Sequence, residues 1–257
     1  MLLAIDAGNT NIAIGAFRGD DMAHQWRLST RMESTADELG VILRGLFDTA
    51  GVAIGEIDSV VISSVVPTLD RSLMGMSRQY LGVDPMMIGP GVRTGIQIRY
   101  DNPKEVGADR VVNAVAAFHK YGGPAVVVDF GTTTNFDVIS ETGDYLGGAI
   151  APGIRISMDA LFERAAKLQR VELVEPRSVI AKNTVESIQS GFLYGFVGQI
   201  EGIVARMTAE LGGDVKVIGT GGLAQLLSEH TNCIQTVDDR LTLDGLRLIH
   251  DLNTADD

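Results

Sequence analysis

Short runs of alternating apolar and polar residues recur along the 257-residue chain, separated by longer stretches with helical spacing. In the first part of the chain, four runs have the period-two or β-branched pattern of strands: Leu2–Asp6, Asn11–Phe17, His24–Leu28 and Ser59–Ser63. Thr35 and Glu38 have the spacing of a capping box, so we predict a helix that starts after Thr35 and ends at Gly51.

Proline and glycine set the limits of the next elements. Pro67 predicts the start of a second helix that ends near Gly82, and a third helix is expected from Glu105 to Tyr121. Residues 84–103 are broken by proline and glycine, with a short predicted strand at Ile96–Tyr100. We interpret this segment as the join between two halves, 1–112 and 113–257.

The second half repeats the strand pattern of the first. Four strands are predicted in it: Ala125–Val128, Asn135–Ser140, Tyr145–Ile150 and Val215–Ile218. Three helices are also predicted: residues 154–168, a long helix that starts after Asn183 and ends at Gly212, and Thr242–Leu252. Alternating strands and helices favour an α/β fold in which mixed sheets are covered by helices.

Composition limits the classes of function. Hydrophobic residues make up 45% and charged residues 21%, as in a globular protein, and no stretch approaches the roughly 18 consecutive apolar residues of a membrane span. A net charge of −12 argues against nucleic acid as a partner, because a phosphate backbone needs a basic face. Cys233 is the only cysteine, which excludes an internal disulfide and predicts a cytoplasmic protein. The histidines lack metal-ligand spacing.

One motif occurs twice. Residues 5–11, Ile-Asp-Ala-Gly-Asn-Thr-Asn, match residues 128–134, Val-Asp-Phe-Gly-Thr-Thr-Thr, at a constant separation of 123 positions. Each copy follows an apolar strand and joins an aspartate to a glycine turn with hydroxyl or amide side chains. An ordinary hairpin turn accounts for one copy, because Asp, Gly and Asn are common turn residues. Two copies at one separation favour a shared function.

The residues of the repeated turns suit phosphate. Glycine lets the backbone approach a phosphate closely, and the N–H groups of a turn can donate to its oxygens. A carboxylate beside such a turn would repel phosphate unless a cation lies between them, so Asp6 and Asp129 predict metal ions at a nucleotide. We therefore predict that both loops hold one polyphosphate. A third glycine turn, Gly219–Gly222, could take the ribose or the base, although helix packing explains it equally well.

Two Asp-x-Gly loops and a later glycine-rich segment resemble the superfamily of acetate and sugar kinases, heat-shock ATPases and actin. The resemblance implies duplicated actin-like (ribonuclease H-like) domains with ATP bound between them. Further motifs resemble one family of that group, the type III pantothenate kinases: Tyr100-Asp101-Asn102-Pro103, Gly107-Ala108-Asp109-Arg110, and Asn183-Thr184 followed by Gln189-Ser190-Gly191. The second loop departs from the family pattern at Thr133 and Asn135, which keep it small and polar.

Resemblance to this family implies a homodimeric enzyme that uses ATP to convert pantothenate to 4′-phosphopantothenate, the first step of coenzyme A biosynthesis. It implies that ATP contacts the first loop along a continuous segment: Asp6, Ala7, Gly8, Asn9, Thr10, Asn11, Ile12 and Ala13. Thr132 would contact ATP from the second loop, Asp6 would position Mg²⁺ through water, and Asp129 would bind K⁺ or NH₄⁺. Asp109 would be the general base, and pantothenate would contact six residues: Tyr100, Gly107, Ala108, Asp109, Arg110 and Thr184.

Each of these roles has a structural alternative. Asp109 could be a plain helix-start carboxylate, and a place in the first helical turn favours its ionised form. Arg110 could be a solvated surface arginine, Tyr100 a strand-edge residue and Thr184 a helix cap. A stripe of glycines on the long helix could pack against a second subunit or be buried within one chain: Gly191, Gly195, Gly198 and Gly202.

Two other functions remain compatible with the loops. A sugar or acid kinase, or a polyphosphatase, would carry both loops without Gly107–Arg110 next to Tyr100. A pseudokinase that binds nucleotide and regulates a partner would be expected to lack the base or a metal-linked carboxylate, whereas this chain has all three aspartates: Asp6, Asp109 and Asp129. Catalysis is therefore favoured.

Overall fold

The computed structural model describes residues 1–165 and 167–255, which form two compact units. The first unit comprises residues 1–116 together with the chain from 240 onward, and the second comprises residues 117–239. The division falls inside one helix, Ala108–Tyr121. In the described part of the chain, no helix has both the length and the apolar character that a bilayer crossing requires.

The first unit is built on a mixed sheet in which five described strands have the order β3-β2-β1-β4-β5. These strands are β1 (Leu2–Ala7), β2 (Asn11–Arg18), β3 (Asp21–Ser29), β4 (Ser59–Ser64) and β5 (Met86–Met87). Strand β2 is antiparallel to both of its neighbours, whereas β4 is parallel to β1 and to β5. The helices of this unit are α1 (Ala36–Ala50), α2 (Pro67–Met76), the first part of α3 (Ala108–Tyr121), and α7 (Leu241–Thr254).

Local sequence signals account for the ends of the helices. The backbone N–H of Glu38 donates to the Thr35 hydroxyl, and the Thr35 N–H donates in return to the Glu38 carboxylate at 2.8 Å, which confirms the predicted capping box. Helix α1 ends at Gly51, whose φ of 70° is the left-handed conformation that glycine adopts without strain. Pro67 occupies the first turn of α2, as predicted, and a π-helical turn continues it to Leu81.

The two faces of β1 pack against different helices. Leu3 and Ile5 point into a core with α1 and α2, whereas Leu2 and Ala4 belong to a second core with α3 and α7. Because side chains alternate along a strand, Asp6 follows Leu2 and Ala4 on the face covered by α3. Alternation in β1 therefore determines which helix can bring a functional group to Asp6.

Helix α7 packs in the first unit, although the predicted halves placed residues 113–257 together. Its buried Leu243 and Leu246 cover the same face of the sheet as α3. Gly245 allows close approach, because a Cβ there would lie 2.3 Å from the carbonyl oxygen of Val112. Apolar packing between segments distant in sequence therefore places α7 on the first sheet. The predicted boundaries of the two halves, 1–112 and 113–257, remain a prediction.

The second unit has a sheet with the same topology. Its described strands have the order β10-β9-β6-β7-β8, with β7 antiparallel to β6 and β8, and β9 parallel to β6 and β10. They are β6 (Ala125–Phe130), β7 (Thr133–Ile139), β8 (Tyr145–Pro152), β9 (Lys216–Gly221) and β10 (Thr236–Val237). The helices are the last part of α3, α4 (Ile154–Arg164), α5 (Thr184–Leu211) and α6 (Ala224–Ser228). Each sheet is therefore one copy of a duplicated fold, as the repeated motif predicts.

Two predicted elements of the first unit are wrong in place or extent. Residues 96–100 form no strand, because the half-buried Ile96 packs against the α7 side of the core without a partner strand beyond an isolated bridge at Ile98. Helix α3 begins at Ala108 rather than Glu105, since Pro103–Glu105 forms a separate 3₁₀ turn capped by Asn102. One-sided burial produced the alternating pattern that resembled a strand.

Two predictions in the second unit also need correction. Gly219, Thr220 and Gly221 lie inside β9 rather than in a turn, because β9 continues to pair with β6 as far as Gly221. Helix α4 ends at Arg164, and the predicted extension to 168 includes a residue outside the described ones. The long helix α5 is as predicted: Asn183 caps it through Glu186, and Gly212 ends it.

Candidate functional site

The first repeated turn connects β1 to β2 and is held by hydrogen bonds to its carbonyl groups. Ala7 and Ile12 are the last paired residues, and the Gly8 N–H donates to the Asn11 carbonyl at 3.0 Å. Thr30, the residue after β3, donates twice: its N–H to the Thr10 carbonyl at 2.9 Å and its hydroxyl to the Gly8 carbonyl at 2.6 Å. The turn is therefore a fixed structure at the carboxyl end of a buried strand, where α/β folds commonly bind ligands.

The second repeated turn is one residue shorter than the first. Here the last paired residues are Phe130 and Thr134, and the Gly131 N–H donates to the Thr133 carbonyl at 3.0 Å. The separation of 123 positions therefore holds up to the glycine but not beyond the turn. Counted back from the returning strand, Thr10 corresponds to Thr132 rather than to Thr133.

Asp6 and Asp109 lie close together in the first unit. Asp109 is the second residue of α3 and precedes Val112 by three positions, so both side chains lie on the helix face that packs on β1. Asp6 is on the β1 face that α3 covers, and it pairs in register with Ser63 of β4. The structure thus brings two carboxylates and a buried hydroxyl together at the end of β1.

Burial raises the pKa of both carboxylates, and repulsion by Asp109 adds to the rise at Asp6. Loss of solvation, with a smaller contribution from the charge of Asp109, raises the pKa of Asp6 to about 7, while the nearby Ser63 hydroxyl acts in the opposite direction. Burial also raises the pKa of Asp109, although the Arg110 N–H and the Arg110 charge oppose the rise. The N–H groups at the start of the helix do favour the ionised form of Asp109, as predicted, but desolvation outweighs them and the net shift of its pKa is upward.

The Gly107–Arg110 segment fits Asp109 closely. The Gly107 carbonyl accepts the first hydrogen bonds of α3 from Arg110 and Val111. A Cβ at Gly107 would lie 2.5 Å from Oδ1 of Asp109, so a larger residue would displace that carboxylate. Arg110 is buried, with 7% of its surface exposed, which rejects the alternative of a solvated surface arginine.

Asp129 occupies the equivalent position in the second unit. It pairs in register with the buried Thr220 of β9, as Asp6 pairs with Ser63, so each carboxylate has a hydroxyl residue on the neighbouring parallel strand. Gly221 has φ +89°, and a Cβ there would lie 2.6 Å from Oδ1 of Asp129. A side chain at position 221 would therefore collide with the Asp129 carboxylate, and glycine avoids this.

Tyr100 lies in the first unit and Thr184 in the second. Tyr100 is half-buried in the first unit, in a segment without regular structure. Thr184 is exposed at the first helical position of α5 in the second unit. The helix cap itself is Asn183, so the alternative that Thr184 caps the helix is wrong.

Within the described residues, no group of three or more His, Cys, Asp or Glu side chains is arranged to hold a metal ion. Mg²⁺ commonly binds one or two carboxylates together with substrate phosphates and water. Asp6, desolvated and repelled by Asp109, has the chemistry of such a single protein ligand.

Comparison with known proteins shows the family of this chain. Residues 2–206 match the model of the type III pantothenate kinase family. A type III pantothenate kinase of Moorella thermoacetica is 58% identical over 254 residues, which cover 99% of this chain and 100% of that protein. One of Brevibacillus brevis is 51% identical over 255 residues, again 99% and 100% of the two chains. The chain belongs to the type III pantothenate kinase family.

Solved structures agree on the architecture. A Sinorhizobium meliloti protein described as a 2-dehydro-3-deoxygalactonokinase has a TM-score of 0.62 at 11% identity, over 98% of this chain and 96% of that one. A Campylobacter jejuni protein described as a Baf family transcriptional activator has a TM-score of 0.61 at 21% identity, over 98% and 99%. At such identities the likeness concerns the fold alone, the duplicated actin-like α/β fold. Membership of the type III pantothenate kinase family sets the chain apart from other kinases that share the loops.

Sequence reasoning missed two residues, Thr30 and Ser63, that lie next to the predicted site in the structure. Thr30 binds the first loop but looks like an ordinary residue at the end of a strand. Ser63 faces Asp6 only because β4 pairs with β1 in one particular register. The sequence did contain a signal for Ser63, because the predicted strand that ends there is apolar. A buried strand parallel to β1 that ends in serine is expected to bring its hydroxyl to the edge where β1 ends.

The raised pKa of Asp6 predicts a pH-dependent stability of the nucleotide-free protein. The folded state keeps a proton on Asp6 up to pH of about 7, whereas the unfolded chain loses it near 3.8, so ionisation of Asp6 destabilises the fold as pH rises between these values. We expect Asp6→Asn to gain stability relative to wild type across this range, by up to about 1.4 kcal/mol per pH unit. Urea unfolding from pH 4 to 8 without Mg²⁺ measures it.

Asp48→Asn, which removes an exposed carboxylate from α1, is the matched control for this measurement. The difference between Asp6→Asn and wild type should be small at pH 4 and largest at pH 8. A difference that stays constant over the whole range would contradict the raised pKa of Asp6.

Proposed function

We propose that this protein transfers the γ-phosphoryl group of ATP to the primary hydroxyl of pantothenate, giving 4′-phosphopantothenate and ADP as the first step of coenzyme A biosynthesis in the cytoplasm. Membership of the type III pantothenate kinase family supports the reaction. The observation that carries the assignment of residues is the proximity of Asp6 and Asp109 where the first loop begins. In this proposal Asp6 acts at the nucleotide, and Asp109 acts at the hydroxyl group of pantothenate.

Asp109 is the general base in this proposal. Its carboxylate accepts the proton of the pantothenate hydroxyl while the hydroxyl oxygen forms a bond to the γ-phosphorus and the bond to the β–γ bridging oxygen breaks. A raised pKa helps, because a base with a pKa closer to neutrality holds the transferred proton better than an ordinary aspartate. Positioning contributes the rest of the effect, as is general in phosphoryl transfer.

The neighbours of Asp109 fit recognition of pantothenate. Arg110 is a buried cation next to the base, and it suits the carboxylate of pantothenate or the charge of the moving phosphoryl group. Gly107 and Ala108 keep space beside Asp109, since a side chain at Gly107 would collide with its carboxylate. Tyr100 and Thr184 complete the proposed contacts with substrate.

The loops bind the nucleotide in this proposal. Backbone N–H groups and small polar side chains of Asp6–Ala13 contact the phosphates, and Thr132 contacts ATP from the second loop. Bound Mg²⁺ would supply positive charge to the phosphates. Asp6 would hold that ion through water, which also relieves the cost of its own buried charge.

A steady-state assay of ADP release tests the function. With Mg²⁺ and K⁺ present, we expect turnover only when both ATP and pantothenate are added. Asp109→Asn should still bind ATP but lose about 10² to 10⁴ of kcat, the usual contribution of a general base. Asp48→Asn, on the exposed face of α1, is the control and should keep the wild-type rate.

Two results would contradict this assignment in different ways. Absence of pantothenate-dependent ADP release in the wild type would reject the reaction. A near-normal rate for Asp109→Asn would leave the reaction intact but remove Asp109 as its base.

We place the monovalent cation, K⁺ or NH₄⁺, at Asp129. Its position repeats that of Asp6, at the end of the central strand and next to a hydroxyl residue on the parallel neighbour. A Cβ at Gly221 would lie 2.6 Å from Oδ1 of Asp129, and one at Gly131 would lie 3.9 Å from the same atom, so the backbone comes close to this carboxylate at both glycines. A single carboxylate together with neutral oxygen ligands suits a monovalent cation.

Turnover should therefore depend on K⁺ or NH₄⁺. Replacing K⁺ with Na⁺ at constant ionic strength is expected to reduce kcat strongly, and Asp129→Asn should be inactive with either ion. Initial rates of ADP release over a K⁺ titration measure the effect. Full activity in sodium alone would reject Asp129 as the cation site.

We propose that two copies of the chain associate through α5. Gly191, Gly195 and Gly198 recur on one exposed face of this helix, and a Cβ at each would meet no atom within 4 Å. This openness rejects the alternative that these three glycines are buried within the chain. Two exposed apolar residues, Val179 and Ile180, lie near the start of α5, where the Ser190 hydroxyl donates to the Val179 carbonyl at 2.8 Å. An exposed apolar patch next to a glycine stripe is typical of a subunit interface.

Light scattering coupled to size exclusion tests the dimer. The wild type should have twice the chain mass of 27.4 kDa, and Gly195→Glu should shift it toward the monomer because a charged side chain would enter the interface. Gly45→Glu, at an equally open glycine on α1, is the control and should remain dimeric. Both changes favour helix formation, so loss of α5 would not explain a difference. A monomeric wild type would contradict the proposal.

A further inference from the structure

We propose that Thr30 is a positioning residue that holds the first phosphate loop in its binding conformation. Its N–H donates to the Thr10 carbonyl at 2.9 Å, and its hydroxyl donates to the Gly8 carbonyl at 2.6 Å. Together with the bond from the Gly8 N–H to the Asn11 carbonyl, these bonds engage the carbonyl oxygens of three of the four turn residues. Thr30 follows the end of β3, so its position is set by the sheet rather than by the loop.

The chemistry of phosphate binding explains why these carbonyl groups need partners. A carbonyl oxygen carries partial negative charge and would repel a phosphate oxygen, whereas an N–H group attracts it. A carbonyl that accepts a hydrogen bond from Thr30 is directed toward Thr30 and away from a ligand. The hydroxyl of Thr30 therefore acts on the nucleotide through the orientation of the Gly8 peptide.

The second unit supplies an internal comparison. Gly153 follows β8 as Thr30 follows β3, and its N–H donates to the Thr132 carbonyl at 3.1 Å, the counterpart of the Thr30 bond to Thr10. Gly153 has no side chain, and a Cβ there would lie 2.4 Å from the Thr132 carbonyl oxygen. The backbone clamp is thus common to both units, while the side-chain bond belongs to the first. That difference accompanies the longer turn, which has one more residue to hold in place.

This inference rests on the proposed binding of nucleotide phosphates by the first loop. Thr30→Val keeps the shape and the backbone N–H of residue 30 but removes the hydroxyl donor. Thr30→Ser restores that donor. Thr49→Val is the matched control, because the Thr49 hydroxyl also donates to a carbonyl, that of Gly45, on the exposed helix α1 of the same unit.

Calorimetric titration with ADP and Mg²⁺, and steady-state kinetics with ATP and pantothenate, form the test. We expect Thr30→Val to weaken nucleotide binding and to raise KM for ATP about five- to tenfold, the effect of one lost hydrogen bond, with KM for pantothenate unchanged. Thr30→Ser and Thr49→Val should stay within about twofold of wild type. Trp26, the only tryptophan of the chain, lies on β3 and packs on Phe47, so its fluorescence checks that each variant is folded.

The outcomes separate this inference from the proposed function. Nucleotide binding within twofold of wild type in folded Thr30→Val would overturn it, and so would a Thr30→Ser variant as weak as Thr30→Val. Equal losses of affinity for ATP and pantothenate would point to a general structural role and would also overturn it. If the wild type binds ADP but does not phosphorylate pantothenate, the titrations still decide the role of Thr30 while the proposed reaction fails.

Discussion

The crowding of two carboxylates at the end of β1 is the constraint on which the rest of the site depends. Asp6 and Asp109 each lose solvation, and the charge of Asp109 adds to the difficulty of ionising Asp6. Such an arrangement persists only when the surrounding structure holds it, and here three elements do so. The alternation of β1 directs Asp6 toward α3, the start of α3 directs Asp109 toward the sheet, and α7 covers the same face. The proposed role of Asp6 fits this strain, because a cation bound at the phosphates would offset the cost of its buried charge.

The two units share one duplicated strand arrangement, and they differ locally in the turns that follow the central strands. Both sheets have the same strand order and directions, and both place an aspartate beside a hydroxyl residue at the end of the central strand. The turns that follow differ by one residue, and the clamp on them differs by one side chain. These differences are confined to the turns and their contacts, while the strands that carry them keep the same order and directions.

Local signals made most of the fold predictable. The capping pairs at Thr35 and Asn183, the apolar strands and the glycine stops at Gly51 and Gly212 all act within a few residues, and the structure confirms them. Non-local packing was not predictable in the same way. The placement of α7 depends on contacts between segments far apart in sequence, and the segment at 96–100 alternates because one side is buried, not because a strand pairs with it.

The site shows the same division between local and non-local information. The repeated motif identified Asp6 and Asp129, and the family motif identified Asp109, but neither indicated that burial would outweigh the helix start in setting the acidity of Asp109. The run of three threonines hid the shorter second turn, because any of them could align with Thr10. Thr30 was missed because its proposed role depends on the carbonyl groups that accept its hydrogen bonds. Those partners follow from the way the strands pair, which the local sequence around Thr30 does not indicate.

The return of α7 to the first sheet has a consequence for synthesis. All residues of the second unit, 117–239, leave the ribosome before α7 does, so that unit can complete its core while the first is still unfinished. Until α7 arrives, Leu2, Ala4 and Val61 lack part of their apolar cover. The first sheet is therefore synthesised first but completed last. Until then, its uncovered apolar face is a surface through which the nascent chain can aggregate.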